Sequence, residues 1–289
     1  MKLAITGASG HLGRQVTAFV LDQVPPANVV LLTRNPDGLS DAAARGAEVR
    51  PADFNDPEGL AVALKGVDRL LLISTDSPDQ SVSQHRAAID AAVAAGVQHV
   101  VYTSQFRPEE GNPAGSIPAH RETEDDLRAS PLAWTFLRNS LYAEKQIPTV
   151  AQAVASGQLV TNAGDGATAY VSRDDCAAAA AAVLTSEGHT GQAYDITGPA
   201  AVSADDLAAL CTTLTGAPVE VVRVDDDALI AGLVAHGVPE QVAPFIASFG
   251  VATREGWFDQ PSAAFQHLTG RAPVSFHDVL AAHRAELTA

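Results

Sequence analysis

Gly7, Gly10 and Gly13 stand at intervals of three between the apolar run Lys2–Thr6 and an amphipathic stretch carrying Leu12, Val16, Phe19 and Val20. At a strand-to-helix junction each glycine has a physical use. One makes the tight turn, one lets backbone N–H groups approach a pyrophosphate, and one lets the helix pack against the sheet. The helix that follows points its positive end at the phosphates. The spacing is G-x-x-G-x-x-G rather than the G-x-G-x-x-G of the common dinucleotide fingerprint, and a glycine-rich hairpin turn would use the same residues. The strand before and the helix after favour the phosphate loop, with His11 exposing only its backbone N–H.

Polar residues follow each of the next apolar runs: Thr33-Arg34-Asn35, then Asp53, Ser74-Thr75, Thr103-Ser104 and Arg138-Asn139. Ligands in open α/β sheets bind beyond the carboxyl ends of the strands, so these positions are candidate cofactor and substrate contacts. An NAD site commonly has Asp or Glu after its second strand, to hold a ribose hydroxyl, whereas a guanidinium there matches the 2′-phosphate of NADP. Arg34 therefore favours NADP; the alternative is a surface arginine at a strand end. Asp53 reads equally as a contact to the adenine amino group or as the cap of a helix beginning at Pro57.

No Tyr-x-x-x-Lys pair is present, because Tyr102, Tyr142, Tyr170 and Tyr194 precede Phe106, Gln146, Asp174 and Gly198 at that interval. A simple ketone reduction yields a strongly basic alkoxide that needs such an acid. A quinone instead yields an aromatic hydroquinone anion, which needs positioning, hydrogen bonds and a proton from water. His120 is a candidate proton donor if its imidazole titrates near neutrality; it reads equally as a solvated histidine at a helix N-terminus. Phe106, Phe245, Phe249, Trp257 and Phe258 could roof a planar acceptor or belong to the core.

Strands are expected at 2–6, 29–33, 48–50, 70–73, 99–103 and 134–138. Helices are expected from His11, near 37–45, and over 57–64, 82–95 and 121–128. This alternation predicts an α/β, Rossmann-type doubly wound parallel sheet. Gly46, Gly66 and Gly96 read as helix C-caps, and Ser172 and Ser203 as N-caps. The loop Arg107–Pro118 stands where an active-site lid belongs. After Asn139 the rhythm loosens into a helix carrying Leu141, Ile147, Val150 and Val154, then shorter elements including a strand at 219–224. A division into a nucleotide-binding domain at 1–155 and a smaller substrate lobe at 156–289, packed over the open edge of the sheet, follows.

The 289 residues suffice for a substantial core. A net charge of −16 and a pI near 4.8 argue against nucleic acid or an anionic membrane as partner. No apolar run approaches the roughly 18 residues of a membrane span. Cys176 and Cys211 have no metal-like spacing and read as free, buried thiols of a cytoplasmic protein.

Taken with Leu32–Pro36, Leu70–Ser74, Ala95–Val97, Tyr102–Ser104, His120–Glu124, Phe136–Asn139, Ala163–Gly166 and Thr269–Arg271, these features give the chain a family likeness. It resembles the atypical short-chain dehydrogenase/reductases of the NmrA-like group, in particular their quinone- and triphenylmethane-reducing branches. The resemblance implies an NADPH-dependent reductase of quinone-like, planar conjugated acceptors. It implies a phosphate loop of Gly7, Ala8, Ser9, Gly10, His11 and Leu12, with Arg34 on the 2′-phosphate. The nicotinamide would lie near Ser74, Ser104 and Asn139, and Asn139 and Tyr142 would form part of the substrate wall. Gln105–Pro118 departs from the family pattern, and so leaves the acceptor open. Two other functions fit the same residues: a non-catalytic NADP(H)-sensing regulator, and a reductase of C=N or C=C bonds in a biosynthetic intermediate.

Overall fold

The computed structural model describes residues 1–75 and 80–288. Its first six strands are β1 (Leu3–Ile5), β2 (Val29–Thr33), β3 (Glu48–Pro51), β4 (Arg69–Leu72), β5 (His99–Gln105) and β6 (Ala133–Asn139). Two short strands follow, β7 (Gln158–Thr161) and β8 (Ala167–Thr168), and then β9 (Gln192–Ile196). Seven of these pair in parallel in the order β3-β2-β1-β4-β5-β6-β9. Strands β1, β2 and β4 are buried throughout, because helices cover both faces.

One face is covered by α1 (His11–Leu21) and, from much later in the chain, α7 (Arg173–Thr185), whose Ala177 and Ala179–Ala181 are fully buried and allow close approach. The other face is covered by α3 (Pro57–Ala63), α4 (Ser81–Ala95) and α5 (Ile117–Ala129), through Leu60, Ile89, Ala92 and Leu127. Between β2 and β3 the helical segment is broken into a 3-10 turn, Pro36–Leu39, and a short α2 (Ser40–Ala44).

Helix α5 begins four residues before its expected start. Pro118 sits in its first turn, where the missing N–H breaks no helical bond, so a residue that marks a loop in sequence here starts a helix. Strands β5 and β6 run on through Gln105 and Asn139, which makes Ser104 and Asn139 strand residues. Leu141 lies outside any helix, since α6 (Ile147–Ser156) is preceded by a 3-10 turn, Ala143–Gln146. Gly96 caps α4 with a left-handed φ of 77°. Ser172 and Ser203 accept from Asp175 N and Asp206 N at the starts of α7 and α8 (Ala204–Thr215).

Strand β9 was not expected; as an edge strand it is half exposed and lacks the continuous apolar run of its neighbours. With α7 it carries the chain's second half back into the first sheet, across the division at 155/156. The remaining lobe has its own core of Ile147, Val150, Leu159, Leu207, Cys211, Phe276 and Leu280. Both thiols are free and buried. Among the described residues no helix is long and apolar enough to cross a membrane.

Glu124 of α5 is 1% exposed and accepts from Ser104 Oγ (2.7 Å), from Arg138 through both carboxylate oxygens (3.0 and 2.7 Å) and from Arg128 (2.7 Å). It ties α5 to the ends of β5 and β6. Glu124→Ala is expected to cost about 3 kcal/mol, since it leaves Arg138 partly buried without its counter-ion. Thermal melting should show a Tm lower by roughly 6–12 °C; a shift under about 2 °C would mean that the network is replaceable.

Candidate active site

The strand order lays the polar strand ends out in a line: Asp53 after β3, Arg34 after β2, the glycine loop after β1, Ser74 after β4, then Ser104 in β5 and Asn139 in β6. The chain reverses direction across the sheet at β1 and β4, the switch point where ligands of such sheets lie. In the glycine loop Gly7 has φ +58°, and Gly10 N–H closes a turn onto Gly7 O at 2.9 Å. A Cβ on Gly13 would stand 2.2 Å from Gly7 O, which is how tightly α1 is seated. Ser9 Oγ and Thr33 Oγ1 share a 2.6 Å hydrogen bond that ties the loop to the end of β2.

Helix α1 starts at Gly10 with no side-chain cap and no acid in its first turn. Among the described residues the N–H groups of Ser9, His11 and Leu12 make no hydrogen bond, and Arg34 is exposed without an ion pair. Uncapped amides at a helix N-terminus beside a free guanidinium fit an anionic dinucleotide. Arg14 went unnoticed in sequence. It reaches the loop after β2, where a Cβ on Gly38 would lie 3.2 Å from its guanidinium, and its place one turn into the helix was the available signal.

Asp53 does not cap α3. Asp56 does, accepting from Gly59 N at 3.0 Å, while Asp53 accepts from the backbone and side chain of Asn55. Four residues before Pro57 was too far, because the cap is the residue immediately preceding the first helical one.

Beyond the glycine loop a cavity of about 770 Å³ opens between the strand ends and the second lobe. Ser74, Thr75, Ser104, Gln105, His120, Asn139, Ser140 and Tyr142 line its sheet side, and Leu159, Leu207, Leu229, Phe245 and Phe249 its far side. Asn139 is buried. Its Nδ2 donates to Tyr142 Oη at 3.3 Å, and the Tyr142 ring lies under Arg173 at 5.6 Å. Thr103 is buried behind the wall, where its Oγ1 accepts from Ser74 N (2.9 Å) and donates to Ser74 Oγ (3.3 Å). Asn139 Oδ1, Ser140 Oγ, Thr75 Oγ1 and Gln105 Nε2 are buried and lack a partner among the described residues. Such an atom costs about 1–3 kcal/mol unpaired, so four around one cavity fit a ligand with polar groups of its own.

Two histidines border this cavity. His85 of α4 is buried; its Nε2 accepts from Thr75 N at 3.0 Å, and burial holds its pKa down to about 3. His120 is not the solvated histidine of a helix start, since it lies one turn inside α5 with Nδ1 2.9 Å from Tyr102 Oη. Nor does it titrate near neutrality: burial lowers its pKa to about 4, so the ring is neutral at pH 7.

The segment from Arg107 to Ser116 reaches the cavity at Gly115 and Ser116 and is pinned at several points. Gly115 N donates to Ser248 Oγ (2.8 Å), Arg107 sits over the Trp257 ring at 5.2 Å with a left-handed φ of 52°, and Asn112 braces the turn from within. The expected aromatic roof divides. Phe106 and Phe258 are core residues and Trp257 packs under Arg107, while Phe245 and Phe249, from α10 (Ala243–Arg254), do reach the cavity.

Quinone oxidoreductase 2 of Escherichia coli strain K12 is 37% identical over 93% of both chains. The structure of an E. coli NADPH-dependent quinone oxidoreductase complexed with NADPH matches with a TM-score of 0.93, over 97% of this chain and 99% of that one, at 36% identity. That of the Citrobacter triphenylmethane reductase complexed with NADP(H) matches with a TM-score of 0.90 at 34% identity, over 97% and 100% of the two chains. The (4-alkanoyl-5-oxo-2,5-dihydrofuran-3-yl)methyl phosphate reductase of Streptomyces griseus is 33% identical over 97% of both chains. A family profile described as NAD(P)H-binding matches residues 7–187. A glycine loop feeding an uncapped helix, a line of polar strand ends and full-length similarity to reductases agree with that match, and the chain belongs to the NAD(P)H-binding family.

Proposed function

We propose that this protein is an NADPH-dependent reductase that transfers hydride to a quinone-like, planar conjugated acceptor. The observation that carries the reading is the sheet side of the cavity, where the hydrogen-bonding groups of Ser74, Ser104, Asn139 and Tyr142 meet and the lining lysine, Lys145, follows Tyr142 by three residues and not the four of a Tyr-x-x-x-Lys pair. Bound NADPH supplies the hydride and leaves as NADP⁺. The backbone of Gly7–Leu12 takes the phosphates, Arg34 the 2′-phosphate, and Asp53 the adenine end. Ser74, Thr75 and Ser104 line the nicotinamide end, with Thr103 holding Ser74 in place. Asn139 and Tyr142 orient the acceptor, the 156–289 lobe covers it, and water supplies the last proton to the hydroquinone anion.

Arg34 is expected to set the cofactor preference. A charge-assisted contact to the 2′-phosphate contributes roughly 1.5–3 kcal/mol, so NADPH should bind about 10- to 100-fold tighter than NADH, and Arg34→Ala should erase most of that difference. Titration of both cofactors decides it, and equal Kd values in the unmutated protein would refute the assignment.

Steady-state assays across an acceptor panel test the reaction. Quinones should exceed simple ketones by at least about 100-fold in kcat/KM, because the missing acid matters only for the alkoxide product. A preference for ketones would overturn the reading. An unsaturated lactone belongs in the panel, since the Streptomyces relative is named as the reductase of an oxo-dihydrofuran phosphate, and reduction of a C=N or C=C bond is the second reading.

A further inference from the structure

We infer that Tyr102 is a positioning residue that fixes the tautomer and tilt of His120, so that a neutral Nε2–H donor faces the acceptor oxygen. The inference rests on the proposed reductase function for its consequence, but its geometry lies in the hydrogen bonds that join His85, Thr123, Tyr102 and His120. Thr75 N–H donates to His85 Nε2 at 3.0 Å, so that nitrogen is bare and the ring hydrogen is on Nδ1. His85 Nδ1–H donates to Thr123 Oγ1 at 2.9 Å, and the Thr123 hydroxyl in turn donates to Ala119 O at 2.8 Å.

The Tyr102 hydroxyl is then left between two rings and Thr123, whose oxygen already accepts from His85 and whose hydrogen goes to Ala119 O. The phenol oxygen lies 3.5 Å from His85 Nδ1, which already carries a hydrogen and cannot accept, and 2.9 Å from His120 Nδ1. The phenol hydrogen goes to His120 Nδ1, and the hydrogen of the neutral His120 ring is therefore on Nε2. The two histidines hold opposite tautomers. His85 is a structural hub behind Thr75, and His120 is half-buried with a ring that borders the cavity. Its Nε2 makes no hydrogen bond among the described residues and is not sealed in the core.

Tyr102 itself is fully buried in mid-sheet, where phenylalanine would fill the same space. The hydroxyl is what phenylalanine would lack, and the ring nitrogen it meets at 2.9 Å is His120 Nδ1. In the reaction the hydride brings two electrons and one hydrogen to the acceptor, and charge gathers on the acceptor oxygen. The His120 N–H is shared with that oxygen and stays on nitrogen, while the proton that completes the hydroquinone comes from water. Tyr102 touches neither partner and acts only through His120.

Long-range ¹H–¹⁵N spectra of the full-length ¹⁵N-labelled protein at neutral pH read the ring nitrogens without cofactor or acceptor. His120 should show a protonated Nε2 and a bare Nδ1, and His85 the reverse; a His120 protonated on Nδ1 would overturn the inference. Tyr102→Phe should lower kcat with a quinone about 10-fold through loss of ring orientation, with KM within about twofold. An unchanged kcat would also overturn it. His120→Leu should cost about 100-fold, whereas His120→Gln, which keeps a neutral N–H donor, should stay within about 10-fold of the parent. Equal loss in both would identify proton transfer in place of donation and refute the neutral-donor role. A protein that reduces nothing in the quinone panel would refute the proposed function instead, and the nitrogen assignments would stand apart from it.

Discussion

Gly10→Val is expected to fold normally and lose NADPH, whereas Gly13→Ala, a smaller change three residues on, is expected to lose stability. Gly10 has an extended backbone (φ −74°, ψ 173°) that any residue can adopt, and a Cβ there would have a single near neighbour, Gly7 O at 3.2 Å. The fold tolerates the added atoms; the space in front of the α1 amides, where the pyrophosphate would lie, does not. Affinity for NADPH should fall by at least about 100-fold, or roughly 2.7 kcal/mol. A Cβ on Gly13 would stand 2.2 Å from Gly7 O and 2.7 Å from Ala8 Cα, both backbone atoms of the loop that would have to move. Forcing that separation should cost about 3 kcal/mol. Circular dichroism melting and NADPH titration of both variants separate the effects. Wild-type titration by a folded Gly10→Val protein would remove the loop from the phosphate site, and an unchanged Tm for Gly13→Ala would contradict the packing argument.

Asn139→Ala should lower kcat/KM for a quinone by about 100-fold while Tyr142→Phe lowers it by less than about 10-fold. The contrast follows from where each side chain ends. Asn139 is held by its backbone, since β6 lies between β5 and β9 and its carbonyl accepts from Phe106 N at 2.8 Å, so truncation should leave the strand in place. What is lost is a carboxamide whose Nδ2 reaches Tyr142 and whose buried Oδ1 has no partner among the described residues. A group that is complete only with ligand present acts on the transition state more than on folding. Tyr142→Phe keeps the ring beneath Arg173 and removes one hydroxyl that no lysine at the usual interval activates. Measured kcat/KM for a quinone and a ketone with the three proteins tests both. A Tyr142→Phe protein as inactive as one lacking its essential acid would show that this phenol transfers the decisive proton.

The sequence by itself determined the features that depend on neighbours in the chain. The glycine loop, the parallel alternation through β6, the C-cap at Gly96 and the N-caps at Ser172 and Ser203 are visible because turns, caps and periodicity act over one to four residues. The line of polar strand ends was legible for the same reason, since an apolar run and the residue after it are adjacent. Only the tertiary structure decided what meets across the fold. Strand β9 joins the sheet after an excursion through the second lobe, and its pattern, half exposed at an edge, carries no parallel-strand signal. Ser104, Glu124 and Arg138 converge from three elements, as do His85, Tyr102 and His120, a grouping that nothing in the spacing of these residues announces. Phe106 and Phe258 differ in fate from Phe245 and Phe249 because packing against the lid segment buries one pair and leaves the other facing the cavity. A side chain's type states what it can bond or bury, but its partner is chosen by how the chain returns, and that return is set by burial summed over the whole core.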